Sequence, residues 1–304
     1  MRAFAAFLGL ILVGFAVMTL GAYPAWLLLH PHFDFPFHRI WSRIGYLWLL
    51  VMIWPLLHWL RLDNRESLGY GVVRRIFLRE AGIAFVLGLA TMLPVALIMG
   101  ALGLTELKPD LALDAAGWAK LALQGALTGI FVSLGEETFT RGAMYSGIAR
   151  ESGPRAAILL TALVYASLHF IGKAHIDAAD VGPGSGLVLL RTSLQAFEHP
   201  LAIIDAFLCL AAVGVLLGLV RTLAGNIAPC IGLHAGWVFV ITFLRQTTQP
   251  DRSHPLGWLL SDFDGVVGWL VLVWTMVIGF WIYRFYDRRR ARVAKPAELP
   301  TGAT

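Results

Sequence analysis

Apolar runs of about 20 residues recur along the whole of this 304-residue chain, and each is long enough to cross the hydrocarbon core of a bilayer as an α-helix. Such a pattern leaves little choice of fold, because a segment inside a bilayer must satisfy its backbone polar groups within the protein. The chain is expected to be all-α: a polytopic membrane helix bundle. Its composition agrees, at 58% hydrophobic and 14% charged residues, which excludes an ordinary soluble globular domain. The net charge of +5 does not point to nucleic acid, since the basic residues lie in short loops between apolar runs rather than in one patch.

Eight spans are expected, at 4–29, 44–61, 81–104, 118–149, 155–171, 201–221, 226–245 and 265–286. Arg2 and the small residues around Ala22 and Ala25 give the first run some likeness to a signal peptide. Its apolar core exceeds the usual h-region length, so it reads as an uncleaved helix. Residues 172–199 are not apolar enough to span; they hold a Gly182–Gly186 turn and a short amphipathic piece around Leu187–Phe197. No repeat or linker divides the chain. One membrane domain over 1–286 is followed by a basic tail, 287–304, with the composition of a disordered segment. Cys209 and Cys230 lie in apolar runs and read as buried thiols rather than a disulfide.

Basic residues set the orientation. With the N-terminus inside, the 23 Lys and Arg other than Arg141 split fifteen to eight in favour of the inner loops and ends. The inner group is densest at Arg61, Arg65, Arg74, Arg75 and Arg79 and in the tail through Lys295, while the outer group includes Lys108, Lys173, Arg245 and Arg252. Both termini are thus expected in the cytoplasm, in what would be a bacterial inner (plasma) membrane.

Within the fourth span stands Glu136-Glu137-Thr138-Phe139-Thr140-Arg141-Gly142. Each charged residue near a bilayer centre costs roughly 2.5–3.5 kcal/mol on insertion scales, so three within seven residues ask for a use. Glu137 and Arg141 are four apart, carboxylate first, the favoured order for an ion pair on one helix face. Glu136 points about 100° away around the axis and needs another partner. The same residues also read as a buried salt-bridge network that fixes helix packing. Two histidines in later spans bear on that choice. His169 shares a face with Tyr165, and His234 lies between Gly232 and Gly236, whose small-xxx-small spacing lets another helix approach. At ~1.5 Å per residue, Glu136 lies about 21 Å above Arg150 and His169 about 22 Å above Pro154, but His234 only about 12 Å above Asn226. Glu136, His169 and His234 are therefore expected to line one cavity, provided that tilt or a late helix start absorbs the mismatch of about 10 Å.

The order EExxxR, then aromatic-xxx-His, then a histidine in a further span resembles the CAAX prenyl protease and bacteriocin-processing family (CPBP, or Abi) of intramembrane endopeptidases. The segments that carry the resemblance are Glu136–Gly142, Tyr165–His169 and Ile231–Trp237, within a family-like core of about 118–245. The resemblance implies that Glu136 and His169 activate water, that His234 helps stabilise the oxyanion, and that Glu137, Arg141 and Tyr165 support them. One position departs from the family's pattern. The last motif usually reads HxxxN or HxxxD, and here Val238 stands in the fourth place. Valine donates no hydrogen bond, and losing one oxyanion donor costs about 10²–10³ in rate. Trp237 and Thr242 are the neighbours that could stand in for it.

Peptide hydrolysis in a membrane needs water, a base and an oxyanion donor in a shielded cavity. Burial moves a carboxylate towards a base useful near neutral pH, a role for Glu136. Two His and one Glu also make a catalytic zinc site, so zinc on Glu136, His169 and His234 stays open; no HExxH helix marks it, and the resemblance favours a metal-free glutamate mechanism. His30, His32 and His38 around Asp34, and His175, Asp177, Asp180 and His199, read as wet loops. The stretch Arg61–Arg79 reads as lying against anionic lipid of the inner leaflet. Three functions compete. The first is an endopeptidase acting on a membrane-embedded or membrane-associated peptide. The second, favoured by Val238, is a catalytically weak relative that binds a membrane peptide or partner, as in bacteriocin immunity. The third is a proton-coupled transporter, which the lack of inverted repeats disfavours.

Overall fold

The computed structural model describes residues 1–171 and 175–294; Lys173 and Lys295, counted above for orientation, lie outside the described residues. Among those described there are nine α-helices: α1 (Arg2–Leu29), α2 (Phe37–Trp59), α3 (Arg74–Ala101), α4 (Ala115–Glu137), α5 (Tyr145–His169), α6 (Ser185–Leu194), α7 (Pro200–Ala224), α8 (Ala228–Thr247) and α9 (Trp269–Ala294). The chain is an all-α membrane bundle. The only strands among the described residues are β1 (Thr105–Leu107) and β2 (Thr248–Pro250), a small antiparallel ribbon in polar loops. Several helices start or end outside the apolar runs, since helical hydrogen bonding does not stop at a membrane surface. α3 begins at Arg74, before the apolar run at 81, and α9 continues past 286 to Ala294.

Six helical stretches are long and apolar enough to cross a membrane. One of them is the 55-residue run Ala115–His169, which joins α4, a π-helical segment Thr138–Met144 and α5. The expected spans 118–149 and 155–171 are its two limbs. Gly153 separates them with φ 80° and ψ 167°, a backbone that only glycine adopts without strain. Pro154 follows and suits the first turn of the second limb. Arg141 and Tyr165, equidistant from Gly153 along the chain, meet with the guanidinium 4.6 Å over the ring. The second limb therefore folds back along the first. In α9 the apolar stretch Trp269–Arg284 is shorter than the other six.

Loops assigned to the same side by the basic residues gather at one end. The N-terminal amine pairs with Glu151 at 2.7 Å, the Arg150 guanidinium donates to the carbonyls of Leu60 and Arg61, and the amide of Ile227 donates to Gly69 O at 3.1 Å. The opposite end holds the β1–β2 ribbon and the Lys108 ammonium on Arg245 O at 2.6 Å. Outward faces carry large apolar residues such as Leu20, Leu50, Leu97, Phe131 and Leu201, as lipid contact requires. Cys209 and Cys230 are both buried and free.

The small residues flanking His234 do what their spacing promised. A Cβ on Gly236 would stand 2.5 Å from Phe85 O, and one on Gly232 would strike Ala81 O, both on α3. On the other flank, a Cβ on Gly129 of α4 would stand 2.5 Å from Ala235 O. α8 is thus clamped between α3 and α4 at backbone contact, with His234 held in the seam. Gly236→Val is expected to lower stability by about 1–3 kcal/mol or more through overpacking. Gly82→Ala on α3, where a Cβ meets nothing within 4 Å, is the neutral control. Thermal unfolding in detergent would measure both, and equal melting temperatures would contradict the clamp.

Candidate active site

The acidic motif sits where α4 passes into the π-helical segment. Two threonines assist the change of winding: Thr138 Oγ1 donates to Leu134 O at 2.6 Å and Thr140 Oγ1 donates to Glu136 O at 2.5 Å. Such back-bonding bends helices, and single-turn π segments recur at functional sites. The i, i+4 pairing of Glu137 with Arg141 survives the winding, with Nη1 to Oε1 at 3.0 Å and both side chains fully buried.

Arg141 is held on several sides. Nη1 also donates to Thr140 Oγ1 at 2.8 Å, Nη2 donates to Gly214 O of α7 at 3.2 Å, and the Tyr165 ring lies beneath the guanidinium. Glu137 Oε1 accepts a second bond, from His234 Nδ1 at 2.8 Å. A carboxylate oxygen only accepts, so Nδ1 of His234 carries a proton and Nε2 faces the other way. On that side Glu136 Oε2 lies 3.9 Å from His234 Nε2, beyond hydrogen-bond range. The Glu136 side chain is 38% exposed, against 0% for Glu137. Adjacent carboxylates in the sequence therefore occupy different environments: one locked into an ion pair, one open.

His169 joins the group through Tyr165. Its Nδ1 lies 2.8 Å from Tyr165 O, one helical turn back. A carbonyl only accepts, so Nδ1 is the donor and Nε2 presents a lone pair. The Tyr165 ring touches both histidines, 4.5 Å from the His169 ring and 6.1 Å from the His234 ring by centroids. Glu136, Glu137, Arg141, Tyr165, His169 and His234 thus form one contiguous group on four elements: α4, the π-helical segment, α5 and α8. Glu136 Oε2, Glu137 Oε2 and Arg141 Nε are buried without a protein hydrogen-bond partner. A network serving packing alone would be expected to satisfy such atoms, so their concentration here favours a working site.

Zinc on Glu136, His169 and His234 would take N and O ligands at about 2.0–2.3 Å. His169 Nδ1 is engaged by a carbonyl and His234 Nδ1 by Glu137, which leaves Nε2 of each ring as the nitrogen that could face a metal. Among the described residues no three His, Cys, Asp or Glu side chains are grouped to hold a metal ion. The proposed stand-ins for the absent asparagine are also engaged elsewhere. Trp237 Nε1 donates to Thr91 Oγ1 at 3.0 Å, and Thr242 Oγ1 donates to Val238 O at 2.7 Å. His175 and His38 form a separate contact: His175 lies 3.1 Å from His38, in the first turn of α2, and 3.0 Å from Asp177.

Three participants were not legible in the sequence: the Gly214 carbonyl, Thr140 as a second acceptor for Arg141, and Tyr70, whose hydroxyl lies 2.6 Å from Thr138 Oγ1. The first and last come from distant segments, and no local spacing announces them.

Residues 118–240 match the family model described as Type II CAAX prenyl endopeptidase Rce1-like. That stretch contains Glu136–Gly142, Tyr165–His169 and Ile231–Trp237, and the family is the one that these motifs resemble. No curated protein and no solved structure gives a match.

Proposed function

From a core of the type II CAAX prenyl endopeptidase kind, we propose that this protein is an intramembrane endopeptidase that hydrolyses a peptide bond of a membrane-associated protein or peptide. The observation that carries the reading is the open Glu136 carboxylate 3.9 Å from His234 Nε2, in a cluster that locks every neighbouring charge. That gap is too long for a direct bond and suits a bridging oxygen. Glu136 takes a proton from water, while the His169 Nε2 lone pair accepts a hydrogen bond from the other O–H, which stays intact, and orients the molecule. The hydroxide attacks the scissile carbonyl. The oxyanion then faces His234 Nε2, and Glu136 returns its proton to the leaving amine.

His234 can donate from Nε2 only when both ring nitrogens carry protons, because Glu137 already takes the Nδ1 hydrogen. Glu137 orients His234, while Arg141 holds Glu137.

Val238 supports a second reading, a relative that binds a membrane peptide and turns it over slowly or not at all. It lies one turn beyond His234 on the same helix face, and neither Trp237 nor Thr242 is free to replace the missing donor. Both readings meet in one experiment, cleavage of membrane-associated peptides by the purified protein in liposomes. Val238→Asn is expected to raise turnover by up to about 10²–10³-fold with the cleavage position unchanged. If neither protein cuts any peptide while both retain it, binding without hydrolysis takes the lead.

A further inference from the structure

The loop joining α2 to α3 opens a pocket of about 410 Å³ lined by Arg65, Leu68, Tyr70, Val72, Arg74 and Phe77, a size within the range of small-ligand sites. Its walls divide by chemistry. Two guanidiniums face an apolar surface on which the Tyr70 and Phe77 rings stack at 5.3 Å. Neither arginine enters an ion pair among the described residues; of the acids nearby, Asp63 and Glu80 are engaged by His58 and Asn226, each at 2.8 Å, and Glu66, next to Arg65 in the loop, does not line the pocket. Arg74 is also the first residue of α3, so the pocket stands where an apolar span meets the membrane surface.

The pocket is tied to the acidic motif. The Tyr70 hydroxyl reaches Thr138, the residue after Glu137, and burial pushes the Tyr70 phenol above its ordinary pKa, which keeps its proton in place. Leu68 O lies so close to Gly142 that a Cβ there would stand 2.9 Å away. Ser146 Oγ donates to Ser67 O at 2.5 Å. The loop therefore forms one wall of the π-helical segment.

We propose that this pocket binds an anionic phospholipid, its phosphate between Arg65 and Arg74 and the start of an acyl chain along Leu68, Val72 and Phe77, and that the bound lipid steadies the π-helical segment through Tyr70 and Thr138. Charge complementarity selects the occupant: a cationic rim over an apolar wall at a membrane surface fits an amphiphilic anion better than a soluble one. The inference does not depend on peptidase activity.

Diffuse attraction of a basic loop to anionic membranes is the competing account, and Arg75 and Arg79 separate the two. Both lie on the same basic stretch and neither lines the pocket. Native mass spectrometry of the detergent-solubilised protein would measure retention of phosphatidylglycerol against phosphatidylcholine. Arg65→Gln and Arg74→Gln are each expected to weaken phosphatidylglycerol retention about 5-fold, and about 30-fold together, with Arg75→Gln and Arg79→Gln changing little. Equal losses at all four arginines, or no preference for phosphatidylglycerol, would overturn the site. Displacement by inorganic phosphate at matched concentration would make it a free-anion site, and displacement by a peptide carboxylate a peptide site; either result defeats the lipid assignment. In the coupling test, phosphatidylglycerol should slow hydrogen exchange across 138–144 in the wild type. Tyr70→Phe should retain the lipid yet lose that protection; if it keeps the protection, the coupling through Tyr70 is wrong.

Discussion

Glu136→Gln is expected to reduce peptide cleavage by about 10²–10⁴-fold, the usual contribution of a general base, while folded protein accumulates as in the wild type. The two halves of this expectation rest on different observations. An amide keeps the shape of the carboxylate but cannot take a proton from water. The fold should not notice, because no described hydrogen bond ends on the Glu136 side chain, its contact with His234 is 3.9 Å long, and its side chain is 38% exposed. Glu137→Gln makes the contrast. It changes a fully buried group that accepts from both Arg141 and His234, so yield and activity should fall together. Cleavage in liposomes, read beside thermal unfolding of the same preparations, would check the pair. If Glu136→Gln cuts at the wild-type rate, Glu136 is not the base and the proposed mechanism fails.

How far the sequence reached depends on the range of each interaction. The bundle was legible because bilayer thickness sets the length of every span, and the Glu137–Arg141 pair because a helix turn sets its spacing. The role of Gly232 and Gly236 was legible for the same local reason. The Glu137–His234 bond joins residues 97 positions apart, and nothing local could announce which of the two carboxylates would take it. The depth count set His234 about 10 Å too shallow because it started every helix at the same level. The structure shows a recessed start. Asn226 donates to Glu80, six residues into α3 and so about 9 Å along it from Arg74. Ile227 is meanwhile fastened to Gly69 in the α2–α3 loop. α8 therefore begins well inside the end of α3, in the sense that the mismatch requires. The π-helical winding at Thr138–Met144 was also out of reach, because its supporting contacts with Leu68 and Tyr70 come from another loop. Gly153 had no place in the sequence reading, yet it turns one long helix into the hairpin that brings Tyr165 to Arg141.

Arg141→Ala is expected to destabilise the protein by about 3–5 kcal/mol, the cost of leaving a buried charge without its partner. Against a total of about 5–15 kcal/mol for a folded domain, that should appear as a large loss of folded protein in the membrane. The arginine is fully buried, and its removal strips donors from Glu137, Thr140 and the Gly214 carbonyl at once, along with the cation over the Tyr165 ring. Arg141→Lys should rescue only part of the loss, since an ammonium keeps the charge but cannot reach Glu137 on α4 and Gly214 on α7 with a rigid fork. Size alone would also make alanine costly at this position, so the decisive measurement is the double variant. If the cost lies in an uncompensated carboxylate, Glu137→Gln should soften it. Thermal unfolding would then show Arg141→Ala with Glu137→Gln less destabilised than the sum of the two single changes. Strict additivity would mean that Arg141 acts through packing on Tyr165 and α7. The claim that it holds Glu137 in place for His234 would then fall.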